Sequence, residues 1–169
     1  MKQIKSITLS KRKYITVGVI FATLLFAAIS LGFYFNNYSK QYNKPSFETE
    51  YTEGKVEIDD IYGYSEMQFA TEYRVGACGS PSADSEGVDV YFSNPQGNDV
   101  LLKCILIDNE NNTVGESGLI KPGCYVKRIK FNNPKSPGTY EMTMKILGFE
   151  PETYYSKGIV NLKTYVTIN

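Results

Sequence analysis

One stretch constrains this chain more than any other. Between Tyr14 and Phe35 the sequence reads YITVGVIFATLLFAAISLGFYF, 22 residues without a charge. As a helix rising 1.5 Å per residue it would be about 33 Å long, close to the ~30 Å hydrocarbon core of a bilayer. It is read as a transmembrane helix that partners the lipid bilayer. Lys2, Lys5, Lys11, Arg12 and Lys13 all precede it, and no acid occurs before Glu48. Because Lys and Arg stay on the cytoplasmic side, residues 1–13 are expected inside and everything after residue 35 outside, in the extracytoplasmic space. Tyr14 at one end and Phe33, Tyr34, Phe35 and Tyr38 at the other suit the two interfaces. The rival reading is a cleavable signal peptide, with Ala28 and Ser30 in the −3 and −1 places. Against it, the apolar run exceeds a 7–15 residue signal core and continues past that point.

The formal net charge of zero is therefore a sum of two unlike ends. Five cations stand alone at the start, and the chain from Asn36 onward carries thirteen basic against eighteen acidic residues, a net of −5. Nothing here resembles the basic excess of a nucleic-acid binder. The chain also has no His, which removes Ser-His-Asp and Cys-His nucleophilic arrangements, His-ligated metal sites and a near-neutral proton shuttle.

Residues 36–54, NNYSKQYNKPSFETEYTEG, have no sustained apolar period and contain Pro45 and Gly54, so they read as a linker. A flexible linker of that length spans about 25 Å. The alternative is an irregular first strand. Residues 55–169 show short alternating runs between turn residues. In GIVNLKTYVTI, Val160, Leu162, Thr164, Val166 and Ile168 share one face; in TYEMTMKI, Tyr140, Met142, Met144 and Ile146 do. DVLLKCILID is apolar on both faces and is expected to lie centrally. VDVYFSNP (88–95) and CYVKRIKF (124–131) each read as one strand, with turn chemistry at Asn94-Pro95, Gly97-Asn98, Asp108–Asn112 and Lys121-Pro122-Gly123. The pattern is that of an all-β, immunoglobulin-like (Ig-like) antiparallel β-sandwich.

Pro137-Gly138-Thr139-Tyr140-Glu141-Met142 resembles the PGxYxh start of the sixth strand in many Ig-like and fibronectin-type sandwiches, whose Tyr makes the tyrosine corner. Met142 stands where antibody domains carry the second disulfide Cys, and no Trp is present. The succession YFSNPQGN, an apolar strand, DNENN, GESGLIKPG, SPGTYEMTMKI and a final TYVTI looks like small membrane-tethered Ig-like proteins of Gram-positive bacteria. That resemblance implies an exported sandwich of largely unknown function and brings no catalytic residues.

Three cysteines, Cys78, Cys104 and Cys124, allow one intramolecular bridge and leave one thiol over. Cys104, beside Leu102 and Leu106, reads as a small buried hydrophobe. Cys78 and Cys124, each next to a glycine, are the expected pair. A Cys-only zinc site would need a fourth ligand. Asp108–Asn112 and Asp59-Asp60 have oxygen ligands suited to calcium, but a hairpin turn and solvated charge explain them better. No catalytic pair, cofactor or metal site is assigned. Among fourteen tyrosines, Tyr62, Tyr64, Tyr154 and Tyr155 fall in or beside loops and are the candidate partner surface, since Tyr supplies rigid amphipathic contact area; the simpler reading has them covering sheet edges. Lys127, Arg128 and Lys130 read as a solvated strand face. The function expected is a non-enzymatic, membrane-anchored module that binds an extracytoplasmic protein or wall polymer. The alternative is a structural accessory subunit of a membrane-embedded secretion or conjugation assembly, which Gly18 and Ala22, a small-xxx-small pair, would suit.

Overall fold

The computed structural model describes residues 19, 21–32, 44–69 and 73–168. The chain divides into two units, residues 1–44 and 45–169. In the first, residues 21–32 are helical and exposed along their length, with Phe21, Leu24 and Phe26 among the open apolar side chains. Those twelve residues span about 18 Å, shorter than a bilayer core. Among the described residues no helix is long and apolar enough to cross a membrane. The two ends of the expected 14–35 span, the basic segment 1–13 and residues 36–43 lie outside the described residues.

Among the described residues the second unit is all β apart from one short 3-10 helix. β1 (Thr52–Glu53) precedes that helix, Asp60–Tyr62, and β2 (Tyr64–Phe69) and β3 (Tyr73–Cys78) are antiparallel neighbours. Three short strands follow, β4 (Ser82–Asp84), β5 (Gly87–Asp89) and β6 (Phe92–Asn94). Then come β7 (Leu101–Asp108), β8 (Thr113–Glu116), β9 (Cys124–Val126), β10 (Ile129–Lys130), and the long pair β11 (Gly138–Phe149) and β12 (Ser156–Ile168). A five-stranded sheet runs β1-β9-β6-β3-β2 and a seven-stranded sheet β10-β5-β4-β12-β11-β7-β8. Among the described strands only β12 and β4 pair in parallel.

The alternation read from the sequence is the alternation of the fold. Met142, Met144, Ile146, Val166 and Ile168 are buried while Glu141, Lys163 and Thr167 are exposed. They meet Val75, Phe92 and Val126 of the other sheet in one core. β7 is hydrogen-bonded on both sides, by β11 and β8, although it lies next to the end of its sheet and not at the middle.

Two expected strands are each broken into two. The 88–95 run leaves the seven-stranded sheet at β5, turns at Tyr91 (φ 45°) and enters the five-stranded sheet as β6. The 124–131 run does the same between β9 and β10. The halves stay together, Val88 opposite Ile129 and Phe92 opposite Val126, with the Tyr91 N–H donating to the Lys127 carbonyl at 3.0 Å. One two-stranded ribbon thus bends from sheet to sheet, the corner device of packed sheets. Val88, Val90 and Phe92 remain wholly buried because both halves face the same core, so the bend leaves no mark on the apolar pattern.

The second correction concerns residues 45–54, expected as the end of the linker. They belong to the β domain: Phe47 bridges Leu119, the Leu119 N–H donates to the Ser46 carbonyl at 2.9 Å, and β1 pairs with β9. The Glu48 carboxylate fixes this strap by accepting the N–H groups of Thr49 (2.9 Å), Glu50 (3.0 Å) and Gly118 (2.7 Å). A Cβ on Gly118 would lie 2.3 Å from the Glu48 nitrogen, so only glycine lets the two backbones approach this closely.

Candidate functional site

β2 and β3 present Tyr64, Glu66 and Arg74 on the face of the five-stranded sheet turned away from the core. Across that face Glu66 lies opposite Gly76, Gly76 opposite Ser93 and Ser93 opposite Tyr125. Gly76 and Ser93 are small, so the sheet is hollowed there. The Tyr64 ring leans into the hollow and its hydroxyl lies 2.7 Å from Ser93 Oγ. A Cβ on Gly76 would fall 2.1 Å from Ser93 Oγ and 2.2 Å from the Tyr64 hydroxyl. The glycine is what lets the ring cross β3.

The resulting groove has a volume of about 410 Å³ and is closed on its other side by Gly54, Lys55 and Val56. Its far wall, the 95–97 loop, is held by amides. Asn98 donates to the Arg74 carbonyl at 2.7 Å and accepts the Arg74 N–H at 2.9 Å, so this side chain pairs with β3 as a strand would. Asn94, fully buried, donates to the carbonyls of Val100 (2.8 Å) and Ile120 (3.0 Å) and accepts from Asn98 (2.7 Å). The Arg74 guanidinium spans the groove from Glu66 (3.4 Å) to the Gln96 carbonyl (2.8 Å). Lys55 has no ion-pair partner among the described residues. Burial lifts the Tyr64 phenol above its usual value, the Ser93 hydrogen bond opposes that, and the Glu66 charge adds to it; the hydroxyl stays protonated and able to donate. The groove therefore offers the Lys55 ammonium, the paired Arg74 guanidinium and Glu66 carboxylate, and two hydroxyls on a fixed frame. That inventory holds a polar ligand by several directed hydrogen bonds.

The four tyrosines singled out in the sequence do not form one surface. Tyr64 is in the groove, and Tyr62, on the 3-10 helix, is half-buried beside it in sequence. Tyr154 (φ 58°) and Tyr155 lie in the turn joining β11 and β12, closed by bonds between Glu150 and both residues. That hairpin sits at the Tyr73 end of β3, since a Cβ on Gly148 would lie 3.1 Å from the Tyr73 ring. Tyr64 pairs with Cys78 and Tyr73 with Phe69, at opposite ends of the β2–β3 ladder, roughly 17 Å apart.

Nor does the structure pair Cys78 with Cys124. All three thiols are free and buried. β6 lies between β3 and β9, which puts the two strands about 9.6 Å apart, and a disulfide needs Cα atoms within roughly 7 Å. Burial pushes the Cys78 thiol up to about 11, with the Asp89 charge adding, and the Cys104 thiol up to about 12; burial also raises Cys124. The Asp108–Asn112 segment is a turn whose Asp108 carboxylate is occupied by the N–H groups of Glu110 (3.0 Å) and Asn112 (2.8 Å). Arg128, read as part of a solvated face, instead pairs with Asp84 and with Asp89 (3.0 Å) at the ribbon corner.

No family, curated protein or solved structure matches this chain. Arg74 was not marked by any sequence motif, and Ser93 and Gln96, about twenty residues further on, were read only as part of the YFSNPQGN strand and turn and not as binding residues. Only Asn94-Pro95 and Gly97-Asn98 signalled the loop that forms the wall.

Proposed function

We propose that this chain is a single-pass, membrane-anchored module whose Ig-like domain stands on the extracytoplasmic side and binds a protein or wall polymer without transforming it. The observation that carries the reading is the charge asymmetry: five cations, then 22 uncharged residues, then a body of net −5. Two features of the domain support it. The Tyr140 hydroxyl donates to the Ser136 carbonyl at 2.9 Å, the backward bond of a tyrosine corner, and Met142 fills the buried place of the absent Cys. The rigid polar groove between Tyr64, Arg74 and Lys55 provides the binding surface in place of the Tyr154-Tyr155 turn.

The test is crosslinking in intact cells from a photoreactive residue at position 96 or at position 153. A discrete adduct from 96, lost in the Lys55→Ala/Arg74→Ala variant, is expected. Adducts equally strong from 153, or none from 96, would overturn the assignment of the groove.

A further inference from the structure

A sheet is finished only when its edges are accounted for, and among the described residues two stretches stay open: β12 over 156–166, since only Thr167 and Ile168 of that strand pair with β4, and β2. β8 and the continuation of β10 meet through the Gly115–Phe131 bridge and the bond from the Asn132 N–H to the Val114 carbonyl at 2.7 Å, so the two end strands of the seven-stranded sheet cover each other. In the five-stranded sheet β1 has two residues, too few to template a strand. The open stretch of β12 carries Lys157 and Lys163, which keep an edge from pairing; β2 carries no lysine. It has six residues, pairs with β3 without a bulge, and has no outer neighbour among the described residues. Of the devices that keep an open edge from pairing, Tyr64-Ser65-Glu66-Met67-Gln68-Phe69 contains no Pro, no Lys and no bulge, and its one charge is Glu66.

We propose that the outer edge of β2 pairs with β2 of a second copy of this chain, antiparallel and two-fold symmetric, joining two five-stranded sheets into one. The ladder geometry limits how this can happen. The Gly79 N–H donates to the Gly63 carbonyl, so residues 63, 65, 67 and 69 turn their backbone groups toward β3, while 64, 66 and 68 turn theirs outward. Only registers that place even residues opposite even residues exchange hydrogen bonds, and only these keep both core faces on one side of the joint sheet. Two such registers give the longest overlap. With Glu66 on the axis, two carboxylates face each other, which is unfavourable. With Met67 on the axis, Glu66 lies opposite the second copy's Gln68, an acceptor opposite an amide donor, and both exchange their outward N–H and C=O groups. The half-buried Met67 at the open edge then faces Met67 of the other copy, and Phe69 lies opposite the other copy's Ser65 and diagonal to its Met67. Charge and hydrogen-bond complementarity select this second register. An isologous two-fold contact of this kind closes after two copies.

The test uses the full chain in detergent micelles. Residue 67 faces its own copy as a non-hydrogen-bonded pair, with Cα atoms about 4.5 Å apart, within disulfide range. Met67→Cys is expected to give a disulfide-linked dimer under mild oxidation, whereas wild type, with its three buried thiols, gives none. Gln68→Pro removes one outward N–H and leaves the β2–β3 ladder bonded; it is expected to halve the protein mass per micelle with unchanged circular dichroism. A wild-type chain that is monomeric, a dimer that survives Gln68→Pro, or Met67→Cys crosslinking no better than wild type would each overturn the proposal. Preferential crosslinking through Glu66→Cys would overturn the register.

Discussion

The strap formed by residues 45–54 rests on one carboxylate, and Glu48→Gln isolates it. The substitution keeps the size of the side chain but removes the charge toward which three backbone N–H groups point. An amide oxygen can serve either the Thr49–Glu50 side or Gly118, not both, so at least one bond is lost and the rest become neutral. A hydrogen bond to a charged group contributes roughly 1.5–3 kcal/mol and a neutral one roughly 0.5–1.5; with Glu48 partly open to solvent, the expected loss is about 1.5 kcal/mol. In a domain of this size that corresponds to a fall in Tm of about 6 °C near neutral pH. The pH dependence supplies a second check. Burial pushes the Glu48 carboxyl up, but the N–H bonds from Gly118, Glu50 and Thr49 and the Lys130 charge together hold it below its ordinary 4.5. A carboxyl depressed on folding stabilises fully above its unfolded pKa and loses that contribution as pH falls through the folded one. The gap between wild type and Glu48→Gln is therefore full above pH 4.5 and closes below it. Thermal melts across that range make the comparison. A variant that melts within about 1 °C of wild type near neutrality, or a gap that persists unchanged in acid, would refute the strap.

Other outcomes follow from single contacts. Gly76→Ala forces Ser93 and Tyr64 out of the groove and is expected to cost about 1–3 kcal/mol in urea denaturation, with a changed tyrosine fluorescence. Tyr140→Phe removes the bond to the Ser136 carbonyl, an expected loss of about 1 kcal/mol in the same assay. With thiols raised by burial, Cys78, Cys104 and Cys124 are expected to resist alkylation in the folded chain and to count as three free thiols after unfolding without reductant; a count of one would restore the bridge.

Period and turn chemistry made the long strands legible. β11 from Tyr140 and β12 from Val160 each keep one face on the core, so their apolar residues recur every second position, and the Tyr140 motif fell at the start of β11. The bends at Tyr91 and Lys127 were illegible for the same reason: a ribbon that changes sheets while facing one core never interrupts the alternation. Residues 45–54 have too few apolar side chains to show a period, and they are held by Glu48 through backbone groups, which carry no residue signature. The bridge expectation failed because sequence does not say that β6 separates Cys78 from Cys124. In the groove only Tyr64 was marked in advance as a binding residue. Lys55, Glu66, Arg74 and Ser93 look like any outward-facing polar positions until three strands bring them together.

Topology is the claim on which the functional reading stands. Intact cells expressing the full chain with either Lys5→Cys or Thr153→Cys, treated with a membrane-impermeant maleimide, measure it directly. Labelling of Thr153→Cys in intact cells, with Lys5→Cys reacting only after lysis, is the predicted result. The reverse pattern, or labelling of both only after lysis, would contradict it.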